Sequence, residues 1–190
     1  MRVAISGLSG CGNSTVTSLV AEKLGLSRVN YTFRDMAREH GVSFEELREK
    51  AEAEFPEVDL DLDAHLVELA ADGKNCVIGS RLAVWLDTPA VLKRIDFPRD
   101  QWFSFDFKFW LDASLETRAR RIAKRESRPF EEVLAETRGR DGLDAARYKR
   151  LYGINVRQPQ ANLKVDTEKF DAEGVAQEIV RFVECQGTRR

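Results

Sequence analysis

Cysteine and histidine are scarce in this sequence, and long apolar runs are absent. The 190 residues hold three cysteines and two histidines. Cys11, Cys76 and Cys185 form no even disulfide framework and no CxxC pair, which points to reduced thiols and a cytoplasmic setting. His40 and His65 stand outside metal-ligand spacing of each other and of any cysteine, so neither is expected to ligate a metal or carry protons. A surplus of charge is missing too. The 30 Lys and Arg against 32 Asp and Glu leave a net charge of −2, so nucleic acid could be held only by positive charge gathered locally. No segment approaches the roughly 18 apolar residues of a membrane helix. The opening Met1-Arg2-Val3-Ala4-Ile5-Ser6-Gly7 turns polar and glycine-rich too early for a secretory signal. No repeat, low-complexity tract or linker interrupts the chain.

What is present suits one soluble α/β domain: 43% hydrophobic and 33% charged residues. An apolar run over 2–6 ending in Gly7 reads as a buried strand entering a tight turn. Helical spacing follows over 15–24 (Val16, Leu19, Val20, Leu24), closed by Gly25. Further strands are expected over 28–30, 75–78, 105–111 and 163–165. A helical stretch is expected over 31–54, broken near Gly41 and restarted at the capping box Ser43-Phe44-Glu45-Glu46, with Pro56 ending it. Helices are also expected over 58–71, 114–125, 129–151 and 172–185, with a short helical turn over 81–86. Residues 89–102 read as irregular. Strands alternating with helices imply right-handed crossovers and a parallel sheet covered on both faces.

Between the first strand and first helix stands Gly7-Leu8-Ser9-Gly10-Cys11-Gly12-Asn13-Ser14-Thr15. Glycines at 7, 10 and 12 let backbone N–H groups turn inward around an anion, and the helix adds its positive end. Ser14 occupies the place of a hydroxyl ligand for Mg²⁺. The spacing fits GxxxxGK[ST] except that Asn13 replaces the lysine, and a neutral amide supplies hydrogen bonds but no charge. A glycine-rich turn without a ligand is the plainer alternative.

Arginines are the natural substitute for that charge. Arg118, Arg121 and Arg125 share one helix face, and with Arg120, Lys124 and Arg128 they concentrate positive charge. A solvated helix paired with Glu116 and Glu126 would carry the same pattern. Arg140, Asp144 and Arg147, spaced i, i+4, i+7, form either an ion-pair ladder or a clamp, with guanidiniums on phosphate or sugar oxygens and the carboxylate on ribose hydroxyls. Arg34 and Arg81 follow the second and third strands, at the sheet edge where ligands of parallel sheets sit, though either could be a surface ion pair. Asp59, Asp61 and Asp63 are candidates for a cation or an amino group, although solvation and charge complementarity at a helix start would give the same alternation. Trp85, Trp102 and Trp110 read as packing.

These residues together resemble the short, archaeal-type cytidylate kinases among the P-loop nucleoside monophosphate kinases, over nearly the whole chain. The segment from Ile5-Ser6-Gly7 to Gly25 is similar to that family's phosphate loop and first helix, in which short members also lack the lysine. Phe33-Arg34-Asp35-Met36-Ala37 and Arg81-Leu82-Ala83 with Trp85 resemble segments that grip the acceptor phosphate. Leu111-Asp112-Ala113-Ser114 with Arg118-Ala119-Arg120-Arg121 resembles the start of the lid. Arg140-Asp141-x-x-Asp144-x-x-Arg147 resembles the motif holding pentose and phosphate, and Val165-Asp166-Thr167 the loop near the adenine. The family's pattern is departed from at Leu82, at Ile78-Gly79-Ser80, around Asn30-Tyr31 and in residues 89–102, which look like an insertion.

The resemblance implies a P-loop fold with a five-stranded parallel sheet covered by helices on both faces. It divides the single domain into a core (1–30, 73–117 and 151–190), an acceptor-side helical region (about 31–72) and a lid (about 118–150). It implies transfer of the γ-phosphoryl group of ATP to CMP or dCMP with Mg²⁺. Residues 7–15 would bind ATP phosphates, and Ser14 would touch the metal. Arg34, Arg81 and Arg147 would hold the acceptor phosphate, Arg140 and Asp144 the sugar, and Asp63 the acceptor. Arg118 and Arg121 would stabilise the transferring charge. The expected partners are these small molecules alone, with no nucleic acid and no membrane, and the chain is expected to act as a monomer. A non-catalytic nucleotide-binding module, a kinase of another small acceptor and an RNA-binding role for the basic helix are the competing readings.

Overall fold

The computed structural model describes residues 1–29, 31–43, 46–47 and 56–187. Its elements in chain order are β1 (Arg2–Gly7), α1 (Asn13–Leu24), β2 (Ser27–Val29), α2 (Phe33–His40), α3 (Pro56–Asp72), β3 (Cys76–Gly79), α4 (Pro89–Arg94), β4 (Phe107–Asp112), α5 (Leu115–Glu126), α6 (Phe130–Tyr152), β5 (Leu163–Asp166) and α7 (Ala172–Gly187). Short 3₁₀ turns cover Ala83–Trp85 and Arg99–Gln101. The five strands are parallel and ordered β2-β3-β1-β4-β5.

β1 lies in the middle, flanked by β3 and β4 with Ala4 opposite Ile78 and Lys108. Val3 to Ser6 are fully buried, which is why the strand reads as a continuous run and not as alternation. The pleat still sorts its side chains. Val3 and Ile5 join Val16, Val20, Phe109 and Ile179 under α1 and α7. Ala4 faces the other way, with Leu66, Val67, Leu86 and Trp110. Trp85 and Trp110 meet edge to face at 5.7 Å inside that second core, so both tryptophans pack. Helices α5 and α6 share a small apolar cluster of their own, Ala119, Ile122, Ala123 and Val133. Two glycines, Gly139 and Gly142, stand in mid-α6 with nothing near the space a side chain would fill.

Local signals set the boundaries. Thr32 and Asp35 form a reciprocal capping box that starts α2, and the Ser114 hydroxyl accepts from the Thr117 N–H to start α5. Gly25 ends α1 in the left-handed region. The Ser43–Glu46 box forms, with the Ser43 N–H on Glu46 Oε2 at 2.8 Å and the Glu46 N–H on Ser43 Oγ at 3.1 Å. Asn30 and most of the helix expected to run on to Glu54 lie outside the described residues. Pro56 begins α3, where the sequence suggested it would end the preceding helix. Residues 89–102 are more regular than expected: Pro89 opens α4 at its first turn, and Val91 and Leu92 are fully buried. Six residues are too few for helical periodicity to register. Cys11 and Cys76 are buried thiols, and none of the three cysteines forms a disulfide. Among the described residues no helix is long and apolar enough to cross a membrane.

β3 approaches α1 so closely at Gly79 that a methyl group there would lie 2.1 Å from Thr17 Oγ1. Gly79→Ala is therefore expected to destabilise the protein by roughly 1–3 kcal/mol, the usual effect of overpacking. Urea denaturation measures it, and Thr17→Ala in the same chain should recover part of the loss.

Candidate active site

A cavity of about 530 Å³ opens at the carboxyl ends of β1 and β3. One wall is the loop between β1 and α1, contributed by Leu8, Ser9, Gly10, Gly12, Asn13, Ser14 and Thr15. The Cys11 N–H donates to Leu8 O at 3.1 Å and closes the turn. Gly10 has φ 87° and touches α5: a Cβ there would come within 2.8 Å of Arg118 Cβ and Arg118 O. The first amides of α1 have no partner within their own helix, as at any helix N-terminus, and so favour an anion in front of them. Asn13, at the position of the missing lysine, donates from Nδ2 to Gly7 O at 2.6 Å. Its amide braces the loop and adds no charge. Cys11 is turned to a second cavity of about 270 Å³, bordered by Thr15, Arg121, Thr167 and Phe170. Burial pushes its thiol up to about 11, which favours the protonated form over the nucleophilic thiolate at neutral pH.

Arg118 and Arg121 of α5 bond carbonyls of this loop, and the arginines of the helix each do something different. Arg118 is only 4% exposed. Its Nη1 donates to Ser9 O at 3.1 Å, its Nε to Ala113 O at 3.3 Å, and both terminal nitrogens grip Asp141 at 3.1 and 2.6 Å. Arg118 was expected over the transferring group; it lies instead behind the loop and outside the cavity wall. Burial of a charge demands such a partner. Arg121 donates to Thr167 Oγ1 at 2.8 Å and to Thr167 O at 2.6 Å, with Gly10 O at 3.4 Å, and borders both cavities. Arg125 borders the larger cavity and pairs with Glu126 at 2.7 Å. Arg128, further round, is bonded to Glu136. The basic helix is thus partly an ion-paired surface, though Glu136 replaces Glu116 in the pairing the sequence suggested.

At the other end of the cavity a charged cluster is built from three elements. Arg81, just after β3, pairs with Asp144 of α6, which is 3% exposed. Asp144 also accepts from Arg147 at 2.6 Å, and Arg147 reaches Asp59 of α3 at 3.5 Å. Arg147 Nε is buried without an acceptor. Asp59 and Asp63, one turn apart on α3, both border the cavity, whereas Asp61 is exposed on the opposite side. Helical period explains the sorting. The Tyr152 hydroxyl donates to Asp63 Oδ2 at 2.5 Å. Burial, reinforced by the neighbouring Asp59, pushes the Asp63 carboxyl up to about 7 against the pull of the Tyr152 bond. Burial raises Asp59 as well, against the pull of Arg147.

Arg81, Arg140 and Asp63 therefore border one cavity with the loop, and Arg147 is joined to Arg81 through Asp144. Arg34 is not brought in: it lies on the exposed side of α2, outside the cavity wall. Sequence reasoning missed Asp141, Tyr152 and Thr167 as partners. Asp141 stood unassigned inside the arginine motif, while nothing near Tyr152 marks it as the partner of a carboxyl far along the chain. Among the described residues no group of three or more His, Cys, Asp or Glu could hold a metal ion. The donors present, a Ser14 hydroxyl exposed at the cavity and a cradle of amides, fit an ion that arrives already bound to phosphate oxygens.

Sheet order, loop and cavity define a phosphate-loop α/β protein of the small-molecule kinase type. Solved structures agree on the fold. A shikimate kinase from Acinetobacter baumannii superposes with a TM-score of 0.59 at 19% identity, covering 97% of this chain and 93% of that one. A deoxyadenosine kinase from M. mycoides with bound dATP gives 0.60 at 21%, covering 97% and 100%. An AAA domain model matches residues 3–139 and a cytidylate kinase model residues 103–185. The cytidylate kinase of Archaeoglobus fulgidus is 36% identical over 98% of this chain and 96% of its own length. Cytidylate kinase 2 of Borreliella afzelii is 36% identical over 95% and 94%, and the cytidylate kinase of Pyrococcus horikoshii 37% over 91% and 83%. The chain belongs to the cytidylate kinase family.

The raised Asp63 carboxyl gives a pH test. Its folded value of about 7 lies above the ordinary 3.8, so between these values the folded chain keeps a proton that the unfolded chain has released. This contribution to stability is present at low pH and is lost as pH rises through about 7. Asp63→Asn should therefore gain in Tm relative to wild type on going from about pH 4.5 to about pH 8. Thermal melts across that range measure the crossing difference.

Proposed function

We propose that the protein transfers the γ-phosphoryl group of ATP to CMP or dCMP, giving ADP and CDP or dCDP, as a step of pyrimidine nucleotide metabolism. The observation that carries this is one continuous cavity bordered by an anion cradle and by Arg81, Arg140, Asp59 and Asp63, with Arg81 paired behind the wall to Asp144 and through it to Arg147. Such a cavity seats two anionic substrates against each other. The acceptor is already an ionised phosphate, so no side chain need act as a base. Catalysis rests on alignment, on positive charge and on excluding water.

In this reading the backbone of residues 7–15 takes the donor phosphates. Arg121, with its planar fork between the loop and Thr167, follows the charge as it moves toward the leaving oxygen. Arg81 and Arg147 take the acceptor phosphate and Arg140 with Asp144 the pentose. Asp59 and Asp63 offer oxygens to the exocyclic amino group of cytosine, where uracil presents only an acceptor. Arg118 supports the loop from behind, and Arg34 would reach the acceptor only if α2 swings inward. Mg²⁺ would be held by Ser14, by phosphate oxygens and by water. When bound it neutralises charge on the β- and γ-phosphates. Residues of about 118–150 act as the lid and about 31–72 as the acceptor-side region, within a monomer. The separate apolar cluster shared by α5 and α6 supports their moving together.

A coupled assay with MgATP against CMP, dCMP, UMP and AMP tests this. Turnover is expected with CMP or dCMP, with kcat/KM about 10- to 100-fold above UMP, the worth of one well-placed base contact. A preference for AMP would overturn the substrate assignment. Arg147→Ala should raise the CMP KM by about tenfold or more, the usual worth of a charged hydrogen bond, with little change in the ATP KM.

A further inference from the structure

Within Arg140-Asp141-x-x-Asp144-x-x-Arg147, Asp141 borders neither cavity, yet both of its carboxylate oxygens are occupied by Arg118. Arg118 in turn accounts for the placement of one peptide of the phosphate loop. Its Nη1 holds Ser9 O at 3.1 Å. No peptide bond of the described chain is cis, so anchoring that carbonyl on Arg118 sends the Gly10 N–H the opposite way, off Arg118. The Gly10 backbone also packs directly on Arg118, leaving no room for a side chain. The loop is thus packed on α5 and bonded to it, and α5 is joined to α6 by the Arg118–Asp141 fork.

One turn along α6 from Asp141, Asp144 holds Arg81 and Arg147. The same helix therefore grips the support of the donor loop with one carboxylate and the acceptor-side guanidiniums with the next. An acceptor phosphate arriving at Arg81 and Arg147 competes with Asp144 for them, which alters the forces holding α6. A donor phosphate tightening on the loop draws on Arg118 and so on Asp141. Each ligand thus biases the same element, the condition for a coupling free energy that acts equally in both directions.

We propose that Asp141 is a positioning residue that fixes the Ser9–Gly10 peptide through Arg118, and that α6 thereby couples donor binding to acceptor binding. The proposal rests on the donor and acceptor seats assigned above. Isothermal titration of the full chain tests it, measuring the Kd of the magnesium complex of a non-hydrolysable ATP analogue with and without saturating CMP. The wild-type protein is expected to bind the analogue about fivefold or more tightly when CMP is present. Asp141→Asn should reduce that ratio to below about twofold while the Kd of CMP alone stays within about twofold of wild type, and Asp141→Glu should restore part of the ratio. A merely structural role would weaken both ligands and lower Tm without touching the ratio. A wild-type ratio of one, or a ratio that persists in Asp141→Asn, overturns the proposal. If Asp141→Asn does not fold, Arg118→Lys, which keeps the charge but loses the fork, must show the same loss, and an unchanged ratio there overturns it equally. Failure of CMP to bind the wild-type chain would instead remove the functional reading on which the proposal stands.

Discussion

Positive charge must be stored in an empty site before two polyanions can be brought together in it. Guanidiniums crowded into a cleft repel one another and lose hydration, so each needs an opposite charge or a carbonyl while it waits. Much of the architecture around the cavity answers that need. Arg118 rests on Asp141, Ser9 O and Ala113 O, Arg121 on Thr167, and Arg81 and Arg147 share Asp144. The carboxylates do not oppose binding so much as keep the arginines in place and aimed. In the proposed function, a phosphate that arrives would exchange one anionic partner for another, without having to draw a side chain in from solvent.

The sheet decides where this store of charge sits. β1 is central, and the chain leaves it to form neighbours on both sides, β3 and β4. The gap above its carboxyl end is where ligands of open parallel sheets are bound. Apolar cores on both faces make that edge a rigid platform, so the loop, Arg81 and Thr167 hang from strand ends whose positions are fixed to within packing tolerance. α3 and α6 then close the cavity from the side. Asn13 is a short amide bonded to Gly7 O that holds the loop in shape and brings none of the charge a lysine would.

What the sequence made legible was local. The strand, the three spaced glycines and the helix that follows form one contiguous message, and the loop lies where they place it. Helical spacing put Arg118, Arg121 and Arg125 on one face; the first two bond carbonyls of the loop, while Arg125 borders the cavity and pairs with Glu126. The pairings were not legible, because they join distant points of the chain. Arg118 meets Ser9 at a separation of 109 residues, Arg81 meets Asp144 at 63, and Asp63 meets Tyr152 at 89. Composition and period say nothing about such pairs, so Arg118 was expected to stabilise the transferring charge, whereas its guanidinium is buried against Asp141 and Ser9 O. Asp59 and Asp63 were separable from Asp61 by helical period alone, a signal that alternation in the written sequence obscured.

The longest helix among the described residues, α6 with 23 residues, belongs to two packing units at once. Its first turns stack on α5, while Tyr148, Leu151 and Tyr152 near its end are rooted in the main core. Between those ends come Gly139 and Gly142, on either side of Arg140 and Asp141. Glycine has the lowest helix propensity of any residue but proline, about 1 kcal/mol below alanine at each position. A rod made pliant at its midpoint bends there first when its two ends are pulled differently. The weakest stretch of α6 is thus the one that carries the link between loop and clamp, and any flexing of the rod is felt there before it reaches the sheet.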